Sequence, residues 1–261
     1  LIFGAEVTAD TCWMLDQHRT KAGEAIFPGT GYLALIAEAM QVLDETAAYE
    51  VRELTFLRAL HVEDTGTRKL QLRLTPDELG YSFELLSDYQ DAFVRHAEGR
   101  VSMVALPQAQ AFDAAAISAR CLNVEEAASG AHITSPQEVH LNFGKHWNVL
   151  RKAALGEGEG LAHLSLSDSL LEEANGIALH PGLLDLGTGW AMNLIEGYKA
   201  ESLWVPVGYG ALRHYGELPS EVVSWVKSVD GSSAEGSARF DVALADMSGN
   251  VCVEVDGLAI R

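Results

Sequence analysis

The chain has 261 residues, of which 48% are hydrophobic, so it is long enough to bury a sizeable core. It has 18 basic and 37 acidic residues, and its formal net charge is −19. This balance argues against nucleic acid and anionic membrane surfaces as partners, because both bind basic patches. A small local basic patch for an acidic partner remains compatible with it.

The cysteines argue against a disulfide framework or a zinc site. Cys12, Cys121 and Cys252 are odd in number and widely spaced, and the sequence has no C-x-x-C pair. The start LIFGAEVTAD lacks the basic, then apolar pattern of a signal peptide, and no apolar run is long enough for a membrane span. We therefore expect a cytoplasmic protein, and a segment excised from something larger.

The first part of the chain predicts a helix between strands. Extended sequence, LIFGAEVTA, comes first. Residues 28–43 then read as a helix with Pro28 in its first turn, and its apolar side chains leave almost no polar face. Such a helix is normally buried on all sides. Strand patterns separated by turn signals follow: VRELTFLRAL, RKLQLRLT, GYSFELLSD and AFVRHAEGRVSMV.

The second part repeats this order of elements. Extended sequence in HWNVLRKAAL and LAHLSLSD precedes another apolar Pro-Gly segment, PGLLDLGTGWAMNLIEG. Strand patterns follow again: SLWVPVGYGALRHYG, EVVSWVKSV, ARFDVALAD and NVCVEVDGLAIR. The repeat predicts two sheets, each wrapped around its own helix. We place the N-terminal unit at residues 1–104, an Ala-, Gln- and Ser-rich linker at 105–136, and the C-terminal unit at 137–261.

Two titratable residues hold related positions in the two halves. His18 precedes the first helix; on its own it reads as a solvated loop histidine. Asp185 is predicted in the first turn of the second helix, where carboxylates commonly compensate the helix dipole. However, Leu183, Leu184 and Leu186 surround it, and a buried carboxylate is costly unless paired or protonated. If the halves pack about a pseudo-twofold axis, His18 and Asp185 can face one pocket as a base and an acid.

Other motifs are weaker. GEGEG, residues 156–160, predicts a hairpin turn, and neither a P-loop nor G-x-S-x-G is present. The strand pattern VPVGYGALRHYG could line a pocket, but packing is the simpler interpretation. Four further histidines lack metal-ligand spacing, and we expect them at surface or strand positions: His132, His140, His146 and His163.

Taken together, these residues resemble the dehydratase domain of a modular type I polyketide synthase. The family has an H-x-x-x-G-x-x-x-x-P motif, and HRTKAGEAIFP is similar with one extra residue between His18 and Gly23 before Pro28. The family's H-P-x-x-L-D motif is similar to HPGLLD, with His180, Pro181 and Asp185. The resemblance spans nearly the whole chain and implies an α+β double hotdog fold.

Two positions depart from the family pattern. Four residues after Asp185, where the family has Gln or His, stands Gly189. The family element Y-G-P-x-F is represented by FGKHW, so Phe143 lacks a phenol hydroxyl. The resemblance assigns catalysis to His18 and Asp185. It implies substrate-binding positions at the following residues: Gly23, Pro28, Phe143, His180, Pro181 and Gly189.

The resemblance implies a hydro-lyase that removes water from a β-hydroxyacyl chain and leaves an α,β-unsaturated thioester. The chain arrives on the phosphopantetheine of an acyl carrier protein. His18 removes the α-proton, Asp185 protonates the β-hydroxyl, and a backbone N–H near Gly23 or the first helix start polarises the carbonyl. No metal or redox cofactor is needed. The expected partners are the carrier protein, with Arg19 and Lys21 as candidate contacts, and neighbouring synthase domains; a homodimer is compatible.

Alternatives stay open at this point. A dehydratase-like domain can also close an oxygen ring, as a pyran-forming cyclase does. Double-bond isomerising relatives tend to lose the aspartate, so Asp185 argues against that reaction. An inactive structural module of a synthase and a hotdog thioesterase are the other readings.

Overall fold

The computed structural model describes residues 1–45, 48–229 and 236–261. In the N-terminal half the elements, in chain order, are β1 (Ile2–Thr8), α1 (Trp13–Asp16), β2 (His18–Thr20), β3 (Ala25–Ile26), α2 (Gly29–Val42), β4 (Tyr49–Phe56), β5 (His61–Val62), β6 (Thr67–Pro76), β7 (Gly80–Tyr89) and β8 (Ala92–Ser102). The strands predicted after the first helix are all present.

The rest of the chain continues with α3 (Ala114–Ser118), β9 (Asn123–Glu126), β10 (Leu141–Phe143), β11 (Leu150–Leu155), β12 (Glu159–Ser165), α4 (Leu171–Ala174), α5 (Pro181–Gly189), β13 (Pro206–His214), β14 (Glu221–Ser228), β15 (Ala238–Ala245) and β16 (Val251–Ile260). Short 3₁₀ turns occupy Pro136–Val139, Lys145–Trp147, Asp168–Leu170 and Met192–Leu194. Among the described residues, none of the helices combines the length and apolarity needed to cross a membrane.

One continuous antiparallel sheet carries the internal repeat. Its strand order is β1-β6-β7-β8-β4-β13-β16-β15-β14-β12-β11-β9. The halves meet where β4 pairs with β13, and each is the first strand after its helix. Moving outward from this junction, β8, β7, β6 and β1 on one side correspond in chain order to β16, β15, β14 and β12 on the other. The predicted double hotdog is therefore confirmed, but the prediction of two separate sheets is wrong, because the pairing of β4 with β13 joins both units in one sheet.

Each unit wraps its sheet around a helix, but the two helices differ in burial. Pro28 is the N-cap of α2, with φ −68° and ψ 146°, so the helix begins one residue later than predicted. The prediction that α2 is buried on all sides is wrong for its second half. Glu38 and Gln41 are exposed and Val42 is 69% exposed, so none of the described elements covers that face. In α5, by contrast, only Asp185 and Gly189 are not fully buried.

The segment predicted as a linker contains regular structure. Helix α3 packs on β12, and strand β9 pairs with β11 through residues 123–126. This part of the segment therefore lies at the edge of the C-terminal sheet, while residues 105–111 carry no helix or strand.

A second, small sheet fixes the halves to each other at the site. Its strand order is β10-β2-β3-β5, so β10 from the C-terminal half pairs with β2 from the N-terminal half. In this register Phe143 lies opposite His18. The helices also touch, because the Thr30 hydroxyl donates to the Pro181 carbonyl at 3.1 Å.

Candidate active site

His18 lies on β2 and not in a solvated loop. It is 9% exposed, and the backbone pairing of β2 with β10 holds it against the C-terminal half. Its ring lies 5.4 Å from that of Trp147 and 5.5 Å from that of Phe143, measured between centroids. The imidazole is thus enclosed by aromatic side chains contributed by the other half of the molecule.

The backbone determines the tautomer of the neutral His18 ring. Nδ1 lies 2.8 Å from the carbonyl oxygen of Ile26 on the neighbouring strand. A carbonyl only accepts hydrogen bonds, so Nδ1 carries the hydrogen and Nε2 keeps its lone pair. This is the protonation state that a general base requires.

Asp185 is presented by α5. Because His180 is the N-cap, Asp185 is the fifth residue of the helix and lies beyond the first turn, contrary to the prediction. It therefore does not serve to compensate the helix dipole. Its side chain is 27% exposed, and one oxygen, Oδ2, accepts a hydrogen bond from the Trp147 indole Nε1 at 2.7 Å.

Burial is the main influence on the pKa of this carboxyl. Burial raises the pKa of Asp185, while the nearby His18 and the hydrogen bond from Trp147 oppose the rise. Its helix neighbours Leu184 and Leu186 are apolar and buried, so the carboxyl gains little of the stabilisation that bulk water gives a carboxylate. A carboxyl in this setting is suited to carry a proton and act as a general acid.

The two candidate catalytic groups are neighbours from opposite halves. His18 Nε2 lies 4.0 Å from Asp185 Oδ2. This separation is too long for a direct hydrogen bond but short enough for the groups to act on adjacent atoms of one substrate. The structure thus brings together the two residues that sequence reasoning paired.

Tyr209 on β13 closes the site on a further side. It is 3% exposed, and its ring meets that of Phe56 edge-on at 5.9 Å. Burial raises the pKa of Tyr209; a hydrogen bond with Thr188 lowers it and the Asp185 charge raises it further. The strand for which the sequence favoured packing thus places a buried phenol near the acid.

His180 and Pro181 serve the helix start. The His180 Nδ1 accepts a hydrogen bond from the Leu183 backbone N–H at 3.3 Å and caps α5. The ring is 2% exposed and lies 5.4 Å from Trp13 in a stacked arrangement. Burial, and secondarily the charge of His146, lower the pKa of His180 to about 4, so the ring is neutral near pH 7. Both residues thus fix the start of α5, the helix that carries Asp185.

Gly23 does not lie at the reacting groups. It occupies the exposed turn between β2 and β3 with φ +90°, and its N–H donates to the Thr20 carbonyl at 2.9 Å. The His18–Ile26 contact is formed despite the extra residue between His18 and Gly23. The Gly23 N–H itself is already used, which leaves the start of the first helix as the better of the two places where a carbonyl-polarising donor was expected.

The position of Gly189 is open. A Cβ built there meets no heavy atom within 4 Å among the described residues. Gly189 ends α5 one turn after Asp185, so both lie on the same helix face. The space that a longer side chain would fill beside the acid is left free.

Sequence reasoning missed the residues that tie the site together. Trp147 holds Asp185, and Gln17 links the halves, because its Oε1 accepts from the His146 backbone N–H at 3.0 Å. His146 was expected at a surface or strand position, which is wrong. It is 2% exposed in a 3₁₀ turn and stacks on Trp13 at 4.1 Å. The sequence offered one indication of the Trp147 contact: the N–H of a buried Trp usually has a hydrogen-bond partner.

The two basic residues near the site differ. Arg19 is paired with Asp64, Nη1 to Oδ1 at 2.7 Å, and with Asp16 at 3.3 Å. Lys21 donates to the Asn142 side chain at 2.7 Å and is exposed. Within residues 1–45, 48–229 and 236–261, no group of three or more His, Cys, Asp or Glu side chains is placed to hold a metal ion.

Comparisons with known proteins agree with this architecture. A family model described as "Polyketide synthase dehydratase domain" matches residues 1–88, and one described as "Polyketide synthase dehydratase N-terminal domain" matches residues 109–261. Polyketide synthase PksM of Bacillus subtilis is 24% identical over 98% of this chain. The chain spans 6% of the length of that relative.

Solved dehydratase domains share the fold. The chain is similar to a trans-AT polyketide synthase dehydratase domain from Brevibacillus brevis, with a TM-score of 0.86, 22% identity and coverage of 100% of this chain and 93% of the other. The dehydratase domain from the CurF module of curacin polyketide synthase gives a TM-score of 0.85 at 22% identity, covering 100% and 92%. With family models matching both halves, the chain belongs to the polyketide synthase dehydratase family.

Proposed function

We propose that this domain removes water from a β-hydroxyacyl thioester to give an α,β-unsaturated thioester. The observation that carries the proposal is the placement of His18 Nε2 4.0 Å from Asp185 Oδ2, with His18 Nδ1 held by the Ile26 carbonyl. One group is fixed as a base and the other favours its protonated form, which is the pairing that dehydration needs.

In the proposed reaction, His18 Nε2 takes the α-proton, and the C–H electron pair becomes the new carbon–carbon double bond. Asp185 gives its proton to the β-hydroxyl, and the C–O electron pair leaves with water. The products are an imidazolium and a carboxylate, and transfer of one proton from His18 to Asp185 restores the starting state. Acid–base chemistry of this kind uses no metal or redox cofactor.

We assign polarisation of the thioester carbonyl to the start of α2. Pro28 caps the helix without a side-chain hydrogen bond, and the first backbone N–H groups of a helix lack intrahelical acceptors. They carry partial positive charge that favours a developing oxyanion. In this scheme Pro28 and Phe143 shape the binding site.

The setting of the reaction is inferred from the relatives. The matched relatives are polyketide synthases many times longer than this chain, so we propose that the domain works beside other synthase domains in the cytoplasm. An acyl carrier protein delivers the substrate, and exposed Lys21 is the remaining candidate contact for its acidic surface. Arg19 is a poor candidate because Asp16 and Asp64 already neutralise it. Assembly as a homodimer belongs to the same proposal.

The test is direct. The purified domain is incubated with both enantiomers of a β-hydroxyacyl pantetheine thioester, and mass spectrometry follows loss of one water. Formation of the enoyl thioester by the parent, and its absence with His18→Ala, supports the proposal. If neither enantiomer loses water, the proposal fails and the domain is a structural module. Release of free acid would identify a thioesterase.

Ring closure is a second candidate, favoured by the open space at Gly189. A substrate with a second hydroxyl placed for attack on the enoyl β-carbon distinguishes the two outcomes. A cyclic product has the same mass as the enoyl thioester, so chromatography and proton NMR of the olefinic region identify it.

A further inference from the structure

We propose that Trp147 is the positioning residue for the acid: its indole N–H orients Asp185 and determines which carboxyl oxygen carries the catalytic proton. This inference rests on the dehydration proposed above. It assigns a role to the 3₁₀ turn Lys145–Trp147, which contributes nothing else that reaches the Asp185 carboxyl.

The contact is well defined. Trp147 is 2% exposed, and its Nε1 lies 2.7 Å from Asp185 Oδ2. The ring is clamped in a stacked arrangement by Phe143 at 5.9 Å and tilted against Trp13 at 5.7 Å. Behind it, the backbone of the same turn is fixed, since the His146 carbonyl lies so close to Gly182 that no Cβ fits there. The donor is therefore held in place before any substrate binds.

The donor-only chemistry of the Trp147 indole determines which oxygen of Asp185 carries the proton. An indole N–H only donates, so its partner must present a lone pair. When the acid is protonated, Oδ2 is occupied by this hydrogen bond and the proton is left to Oδ1. A carboxamide partner, which can both donate and accept, would not impose this choice. The donor also leaves Oδ1 free to turn toward the β-hydroxyl.

The helix that carries Asp185 offers no alternative support. The position one turn later, which could reach back to the carboxyl, is Gly189, with open space around it. The carboxyl is thus held from the neighbouring 3₁₀ turn and not from its own helix. The titratable groups facing it are His18 from β2 and Tyr209 from β13, whereas Lys145 and His146 face Glu173.

The experiment removes the Trp147 donor and then supplies a new donor to Asp185 from position 189. Trp147→Phe should lower kcat by about tenfold to a hundredfold, the range for a hydrogen bond to a charged group, because Asp185 becomes a carboxylate as it gives up its proton; KM should change little. Adding Gly189→Gln to Trp147→Phe should recover part of the loss, because a glutamine there can donate to Asp185. Trp225→Phe is the matched control: its indole also donates to a carboxylate, Glu159 at 2.9 Å, far from the site.

Two further measurements separate positioning from packing. β-(3-Benzothienyl)alanine at position 147 keeps the shape of Trp but lacks the donor, and it should behave like Trp147→Phe. Carbon-13 NMR of labelled aspartate needs no substrate: loss of the donor should raise the pKa of Asp185, because the Trp147 hydrogen bond lowers it. The limb of the pH–rate profile that reports loss of the acid's proton should move to higher pH.

The outcomes distinguish this inference from the proposed reaction. If the parent forms no enoyl product but the Asp185 titration moves upward without the donor, the reaction is wrong and the positioning contact stands. If the benzothienyl variant retains both the parent kcat and the parent titration, the positioning role is overturned. A loss of activity that Trp225→Phe reproduces equally would also overturn it.

Discussion

The two halves of this domain share one plan, yet they hold their catalytic groups in different ways. In the N-terminal half His18 lies outside the helix, on β2, and a backbone carbonyl fixes its ring. In the C-terminal half Asp185 lies within α5, and a side chain from a separate turn fixes it. The repeated fold thus places one catalytic group in each half, but the hydrogen bond that orients each group comes from different local structure.

The same comparison holds for the helices. α2 has 14 residues and leaves one face open, whereas α5 has 9 and is buried except at Asp185 and Gly189. Both begin at a Pro-Gly pair, but only α5 has a histidine cap. The shorter helix is thus the more tightly enclosed, as expected for the one that must place a buried carboxyl.

The largest expected effect is on catalysis, and it tests whether the halves contribute equally. His18→Ala and Asp185→Asn should each lower kcat by roughly 10²–10⁴-fold, because each removes one general acid–base group. The double variant should be little worse than either single one, since both groups act in one step. Steady-state kinetics with the β-hydroxyacyl thioester measures this, and near-parental turnover in either single variant would contradict the assignment.

Stability gives the control for that experiment. Because burial raises the pKa of Asp185, the folded state at pH 7 gains nothing from ionising it, and Asp185→Asn should be at least as stable as the parent. Thermal unfolding monitored by circular dichroism checks this. A large fall in Tm for Asp185→Asn would show that the charged form stabilises the fold.

The next effect compares two glycines at corresponding helix starts. A Cβ at Gly182 would lie 2.0 Å from the His146 carbonyl oxygen, which is backbone and cannot move aside. A Cβ at Gly29, the corresponding position of α2, would lie 3.0 Å from the Phe56 ring, a side chain that needs to shift only a few tenths of an ångström. We expect Gly182→Ala to cost about 3 kcal/mol or more and Gly29→Ala about 1 kcal/mol. Urea unfolding measures both, and equal costs would remove the distinction between the helices.

The pH dependence of stability tests two buried histidines of the C-terminal half. The pKa of His180 and that of His214 are each lowered to about 4, chiefly by burial. Since the unfolded chain binds these protons near pH 6.5, the stability present above that pH is lost as the pH falls toward 4. The loss is up to about 3 kcal/mol for each histidine. Unfolding free energies at pH 7, 5.5 and 4.5 should decline accordingly.

His214→Phe isolates one contribution. The His214 ring stacks on Tyr49 at 4.8 Å, and both its nitrogens lack partners among the described residues, so a phenyl ring can replace it. The variant should retain the stability of the parent at pH 7 and lose less of it below pH 6. An unchanged slope would show that His214 is already protonated or exposed in the folded state.

The smallest effect is expected at Gly189. Because a Cβ fits without contact, Gly189→Ala should be neutral or stabilise the domain by up to about 1 kcal/mol. Gly189→Gln should leave turnover of a plain β-hydroxyacyl thioester within a few-fold of the parent. It should slow a substrate with a second hydroxyl or a branch that needs the open space. If both substrates are handled as well as by the parent and no ring forms, the space has no catalytic meaning.

The order of elements in the sequence predicted two helices, each wrapped by strands, and the resemblance to the dehydratase family supplied the double hotdog. Apolar helices opening with Pro-Gly, each followed by strands of alternating pattern, leave few arrangements that bury both helices. The His18 and Asp185 pairing also followed, because both residues stand beside those helix starts. The burial of α2 could not be read from the sequence, since an apolar face does not reveal whether another element covers it.

What only the tertiary structure decided is how the acid is held and where the donors are used. Trp147 lies 38 positions from Asp185 along the chain, and no local pattern connects them. Gln17 accepts a hydrogen bond from the His146 backbone N–H, 129 positions away. Hydrophobic periodicity and helix starts depend on residues close together in the chain, so the sequence predicts them. Hydrogen bonds between residues far apart along the chain depend on the packing that brings those residues together, and only the folded molecule fixes that packing.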